Sequence, residues 1–131
     1  MRKAMWFLTA CVMLLAGRLY AADKMPGGVQ ERKTDSGITV LADAKGMTLY
    51  TFDKDMTGMS MCADKCAQNW HPLAAPADAK PMGDWTTVNR DDGTKQWAYK
   101  GKPLYTFVKD TKPGDATGDG AGNKVWHAAL R

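Results

Sequence analysis

The sequence predicts a mostly β fold: two pseudo-symmetric antiparallel β-meander repeats packed as one small domain, with a short helical or irregular loop carrying two cysteines. Three observations support this. The eleven residues from Lys45 to Asp55 (KGMTLYTFDKD) return 55 positions later as KGKPLYTFVKD, from Lys100 to Asp110, with eight of the eleven identical. A Trp-His pair follows each copy, Trp70-His71 lying 20 residues after Tyr50 and Trp126-His127 lying 21 after Tyr105. Between these landmarks, short β-branched and aromatic runs alternate with Gly- and Asp-rich turns. A long internal echo marks one supersecondary unit used twice and packed on itself. Short runs with turn punctuation argue for strands.

In chain order, residues 1–21 read as a secretory signal peptide. Arg2-Lys3 are basic, residues 5–16 are apolar except for Thr9, and Leu19-Tyr20-Ala21 offers cleavage after Ala21. The apolar run is shorter than the ~20 residues a bilayer span needs. Export to an oxidising compartment follows, a bacterial periplasm or the medium, with no transmembrane span once the signal is removed. The early cysteine, Cys11, lies inside the apolar run rather than behind the cleavage site, so no lipid anchor is expected. Three of the 18 basic residues leave with the signal, and 15 then face 14 acidic ones. With a net charge of +1, nucleic-acid binding loses its electrostatic support. The remaining 110 residues suit one ordinary domain.

Residues 22–36 are polar and Gly-rich and read as a flexible leader, followed by repeat one over about 37–80 and repeat two over about 81–131. Ile38-Thr39-Val40-Leu41-Ala42 is a β-branched strand, and Asp43-Ala44-Lys45-Gly46 a turn into a strand over 47–53. There Tyr50 and Phe52 share one face and Leu49 and Thr51 the other, as do Tyr105 and Phe107 against Leu104 and Thr106. Residues 61–69 have helix-like composition. Trp85-Thr86-Thr87-Val88-Asn89 and Lys95-Gln96-Trp97-Ala98-Tyr99 form a hairpin over Asp91-Asp92-Gly93, and Val125-Trp126-His127-Ala128 closes the chain.

Cys62-Ala63-Asp64-Lys65-Cys66 lacks the two-residue spacing of a redox pair or a haem attachment site. Two thiols in an oxidising compartment most simply form a disulfide. Regular helical geometry sets residues four apart near the upper end of the usual Cα range, so the bond favours an irregular turn. A second reading is copper. Met56, Met59 and Met61 run directly into Cys62, with Cys66 and His71 behind, and thioether, thiolate and imidazole together suit Cu(I). Met56, Met59, Met61 and His71 remain as candidate ligands if the cysteines pair. Exposed methionines also suit a sink for oxidants.

The two motif copies, Tyr50-x-Phe52-x-x-Asp55 and Tyr105-x-Phe107-x-x-Asp110, resemble a family of secreted repeat proteins defined by Tyr-x-(Phe/Trp/Tyr)-x-x-Asp, many of them bacterial lipoproteins. The intervening Cys62, Cys66, Trp70 and Pro72 fit as well, and the likeness covers residues 37–128. It implies a small exported domain and assigns no reaction. From the residues themselves, each motif Asp stands where a strand should end, placed to accept backbone N–H bonds and fix the turn. No nucleophile–base pair stands beside His71 or His127 in the sequence, so catalysis is not expected and no cofactor is implied. The expected role is a non-enzymatic binding or envelope-associated module for an unidentified periplasmic or envelope partner.

Overall fold

A computed structural model describes residues 25–131; the signal-peptide reading lies outside them. A 3-10 turn at Pro26–Gly28 leads into β1 (Gln30–Lys33), which pairs antiparallel with β2 (Thr39–Ala42). Then come β3 (Tyr50–Phe52), a one-turn α1 (Lys65–Asn69), β4 (Trp70–Pro72) and β5 (Ala74–Ala75). The second half holds β6 (Trp85–Asn89), β7 (Lys95–Tyr99), β8 (Lys102–Pro103), β9 (Tyr105–Phe107), a single turn α2 (Ala121–Lys124) and β10 (Trp126–Ala128). The fold is mostly β and antiparallel, as the sequence predicts.

The strand order explains why neither repeat stands alone. One four-stranded sheet runs β10-β3-β9-β4. At its centre β3 meets β9 with Tyr50 opposite Tyr105, on a pseudo-twofold axis. Each Tyr/Phe strand then takes as its outer neighbour the Trp-His strand of the other repeat: Trp126 opposes Phe52, and Trp70 opposes Phe107. A second sheet, β5-β7-β6 with β8 on β7, carries the predicted hairpin.

The symmetry extends to the main chain. Leu41 N–H donates to Ala129 O, Ala129 N–H to Leu49 O, and Leu49 N–H to Leu41 O, at 2.8–2.9 Å. The same cycle recurs from Trp97 to Leu73, from Leu73 to Leu104 and from Leu104 to Trp97, at 2.8–3.1 Å. Each cycle joins two residues of one repeat to one residue of the other, so these backbone groups are satisfied only when both halves are present.

Alternation along β3 and β9 divides the interior in two. Leu49 and Leu104 enter one cluster with Val29, Leu41, Trp85, Trp97 and Ala129. Tyr50 and Tyr105 enter another with Cys62, Trp70 and Trp126. This is the period-2 division expected from the sequence.

One boundary is corrected. Residues 30–33, assigned by composition to a flexible leader, form β1 and pair with β2 over four residues. Gln30-Glu31-Arg32-Lys33 has no apolar alternation because its side chains are mostly exposed. Backbone pairing makes it a polar edge strand, a common way of keeping a sheet edge from recruiting other chains. Strand β4 was likewise not foreseen, because Trp70-His71-Pro72 is too short to show a pattern.

Candidate functional site

The motif strands end in two matching turns. Asp55 N–H donates to Phe52 O at 3.0 Å and Asp110 N–H to Phe107 O at 3.1 Å. Both carboxylates thereby turn inward, and each accepts from the tyrosine of the other repeat. Tyr50 OH donates to Asp110 Oδ2 at 2.6 Å, and Tyr105 OH to Asp55 Oδ2 at 2.7 Å. Both tyrosines are fully buried. Burial, first, and the hydrogen bond to a carboxylate push both phenols well above their ordinary range.

The remaining carboxylate oxygens tie down the following loops. Asp110 Oδ1 accepts from Thr117 N–H at 2.9 Å and from its hydroxyl at 2.6 Å. Asp55 Oδ1 accepts from Met61 N–H at 2.6 Å. Burial raises the Asp55 carboxyl above its usual value, opposed by the Met61 N–H, the Tyr105 hydroxyl and the Arg90 charge. The motif is thus a reciprocal clasp between repeats.

Four aromatic rings stack beside the clasps. Phe52 lies on Trp126 (centroids 4.2 Å apart), Trp126 on Trp70 (3.8 Å, planes 3° apart) and Trp70 on Phe107 (4.0 Å). The two tyrosines meet this stack edge-on, Tyr50 at Trp70 and Tyr105 at Trp126. Gly118 covers one end: a Cβ there would lie 2.6 Å from Trp70 Cη2 and 2.9 Å from Phe107 Cδ2.

Repeat one adds parts that repeat two lacks. Cys62 and Cys66 form the expected disulfide, with Cα atoms 5.2 Å apart and Cys62 fully buried. Only Cys66 belongs to α1, and Asp64 at φ 54° breaks the helical path between them, which is the irregular turn the spacing favours. Sequence reading missed the polar support of this loop. Ser60 Oγ lies 2.6 Å from Tyr105 OH. Arg90 reaches across from the β6–β7 turn to donate to Ser60 Oγ (2.9 Å), Cys62 O (2.7 Å) and Gln96 Oε1 (2.8 Å). Gln96, fully buried, donates to Leu104 O at 2.8 Å. Its placement at an inward position of a strand was the one available signal, since a buried amide needs partners.

The two histidines, equivalent in sequence, differ in surroundings. His127 Nε2 lies 2.8 Å from Asp53 Oδ2. The position matching Asp53 in the second repeat is Val108, and His71 instead sets Nε2 3.1 Å from the Gln68 carbonyl oxygen. The histidines sit on β10 and β4, the two edges of the sheet, and form no pair.

Met56 and Met59 close a tight turn and Met61 follows it, all three exposed. Two shallow cavities open on the side of β3, the first of them reaching Met56. One, of about 210 Å³, is lined by Asp53, Asp55, Met56, Thr57 and Lys102 among others. The second, of about 280 Å³, is lined by Tyr99, Lys100, Leu104, His127 and Leu130. Both share Thr51, Asp53 and Lys102. Among the described residues, no three His, Cys, Asp or Glu side chains are grouped to hold a metal ion, and no helix is long and apolar enough to cross a membrane.

A family model described as a secreted repeat of unknown function matches residues 32–74 and 86–130, one match per repeat. The chain belongs to this secreted-repeat family. No curated protein and no solved structure matches it. The matched segments contain both motifs, and the clasp explains why the Tyr and the Asp recur together: each serves the opposite repeat.

Proposed function

We propose that this secreted-repeat protein is a non-catalytic binding module of the periplasm or cell envelope, without a lipid anchor, whose ligand surface is the groove beside β3. The single observation carrying this reading is a division of labour. The repeated polar groups, Tyr50, Asp55, Tyr105 and Asp110, are consumed in the clasps. The open chemistry gathers along one side of β3, where two adjoining cavities share Thr51, Asp53 and Lys102. Lys100 and Lys102 supply donors there, the Asp53–His127 pair lies at the shared wall, and Met56 and Leu130 give apolar ends. Small-ligand sites are concave and combine apolar lining with a few placed polar groups.

The test is amide-shift mapping of the full mature chain against fractionated periplasmic small molecules. Shifts at Thr51, Asp53 and Lys102 that disappear in a Lys102→Glu variant, with the ligand recovered chemically unchanged, are the expected result. Shifts confined elsewhere remove the groove as the site, and a chemically altered ligand removes the non-catalytic reading.

A further inference from the structure

The three methionines between the first motif and the disulfide have no part in the architecture above. Met56, Met59 and Met61 keep 59%, 52% and 53% of their surface exposed. None belongs to either core cluster, so the ordinary use of Met as an interior gap-filler does not apply. Single exposed apolar side chains are normal. Three within six residues, directed outward by the backbone, are not accounted for by the fold.

Two hydrogen bonds set the arrangement. Met56 N–H donates to Met59 O at 3.1 Å, and Met59 N–H donates to Met56 O at 2.9 Å, closing a two-residue turn over Thr57-Gly58. Gly58 adopts φ 70°, the left-handed backbone such a turn requires. Residues that exchange both bonds stand directly opposed, and their side chains leave on the same face with Cβ atoms about 5 Å apart. Beyond Met59 the chain alternates. Ser60 turns inward to Tyr105 OH and Cys62 is fully buried, which leaves Met61 outward between them. The turn is also fastened to the body, with Gly58 N–H donating to Gly101 O at 2.9 Å and Met61 N–H to Asp55 Oδ1 at 2.6 Å.

We infer that Met56, Met59 and Met61 form a surface thioether site for a soft monovalent cation, Cu(I) or its analogue Ag(I). Unbranched side chains rising from opposed positions let two sulfurs converge on one ion, and the third closes from the adjoining segment. Soft thioether donors select Cu(I) over Zn(II) or Mg(II). The Cys62 and Cys66 sulfurs are bonded to each other, so the site contains no thiolate. His71, the imidazole candidate from the sequence, lies on β4, a strand that pairs with β9 and not with this turn. The donor set is therefore thioether alone. Thioethers carry no titrating proton, so the donors themselves need no deprotonation, unlike His or Cys. This site shares Met56 with the groove but not Thr51, Asp53 or Lys102, so Met61→Leu reports on this site alone and Lys102→Glu on the groove alone.

The experiment is anaerobic competition for Cu(I) between the oxidised mature chain and a chromophoric Cu(I) chelator, with the intact disulfide verified by mass. One Cu(I) per chain is expected at about pH 7. Counting each thioether as about tenfold, the equivalent of about 1.4 kcal/mol, the double variant Met56→Leu/Met59→Leu should weaken binding by about 100-fold and Met61→Leu by about tenfold. His71→Ala should change nothing. Leu preserves volume at these exposed positions, and circular dichroism checks the fold. Failure of the chain to draw Cu(I) from the chelator overturns the inference. So does a double variant that binds as tightly as the parent. Loss of binding in His71→Ala would move the site to imidazole and equally overturn it.

Discussion

Repeats one and two close the same Tyr–Asp clasp in different surroundings. On the repeat-two side, Asp110 holds Tyr50 and both donors of Thr117, and Tyr50 OH also accepts from Gly118 N–H at 3.2 Å. The loop there is Gly-rich and lies directly on the aromatic stack. On the repeat-one side, Asp55 holds Tyr105 and Met61 N–H, while Ser60, Arg90 and the disulfide add second supports. One clasp works through a close-packed loop with few alternatives, and the other through a polar network and a covalent staple. The first is brittle and the second redundant. The redundant side is the one that carries the exposed methionines and the cavity beside Asp55 and Met56.

The largest effect should come from what the repeats share. Trp126→Ala or Trp70→Ala removes a central ring of the stack and should cost about 3–5 kcal/mol each in urea unfolding. Because the rings touch, the double variant should cost less than the sum, and strict additivity would show that they are not coupled in solution. The clasps come next. Asp110→Ala strands the buried Tyr50 hydroxyl and both Thr117 donors and should cost about 3 kcal/mol. Asp55→Ala leaves Tyr105 with Ser60 and should cost about half of that. Equal losses would break the comparison.

The staple should be worth less than the stack. Cys62→Ala/Cys66→Ala opens a very short loop, and chain entropy assigns such a closure about 2 kcal/mol. The variant should keep its fold, since repeat two closes its clasp without a disulfide; unfolding on reduction would show that the Arg90 network cannot hold the loop alone.

Alkaline titration tests both clasps together. Tyr50 and Tyr105 are raised in the folded state, so their contribution to stability is complete below the ordinary phenol value near 10 and declines as pH rises above it. Phenolate absorbance from these two residues should emerge only with loss of near-ultraviolet circular dichroism. Emergence from a folded protein would mean that one clasp opens by itself. The smallest effect concerns the histidines. Val108→Asp copies Asp53 into repeat two and should draw His71 from the Gln68 carbonyl into a surface pair, worth under about 1 kcal/mol but visible in its imidazole NMR shifts.

Much of this was determined by sequence. The repeat, the strands at Trp85–Asn89 and Lys95–Tyr99, the opposite faces of Leu49 and Tyr50, and the Cys62–Cys66 bond all follow from local pattern, because side-chain alternation and turn chemistry act over a few residues. The same locality hid β1, a polar strand made only by pairing, and β4, too short to carry a period. It also hid the Gln96 amide bonded inside the second repeat, and the partners Ser60 and Arg90, which meet from distant parts of the chain. Sequence placed a Tyr and an Asp in each copy of one motif. Only the tertiary structure decided that each Asp answers the other copy's Tyr, because that depends on Tyr50 meeting Tyr105 on the axis and on each Trp-His strand crossing to the opposite repeat.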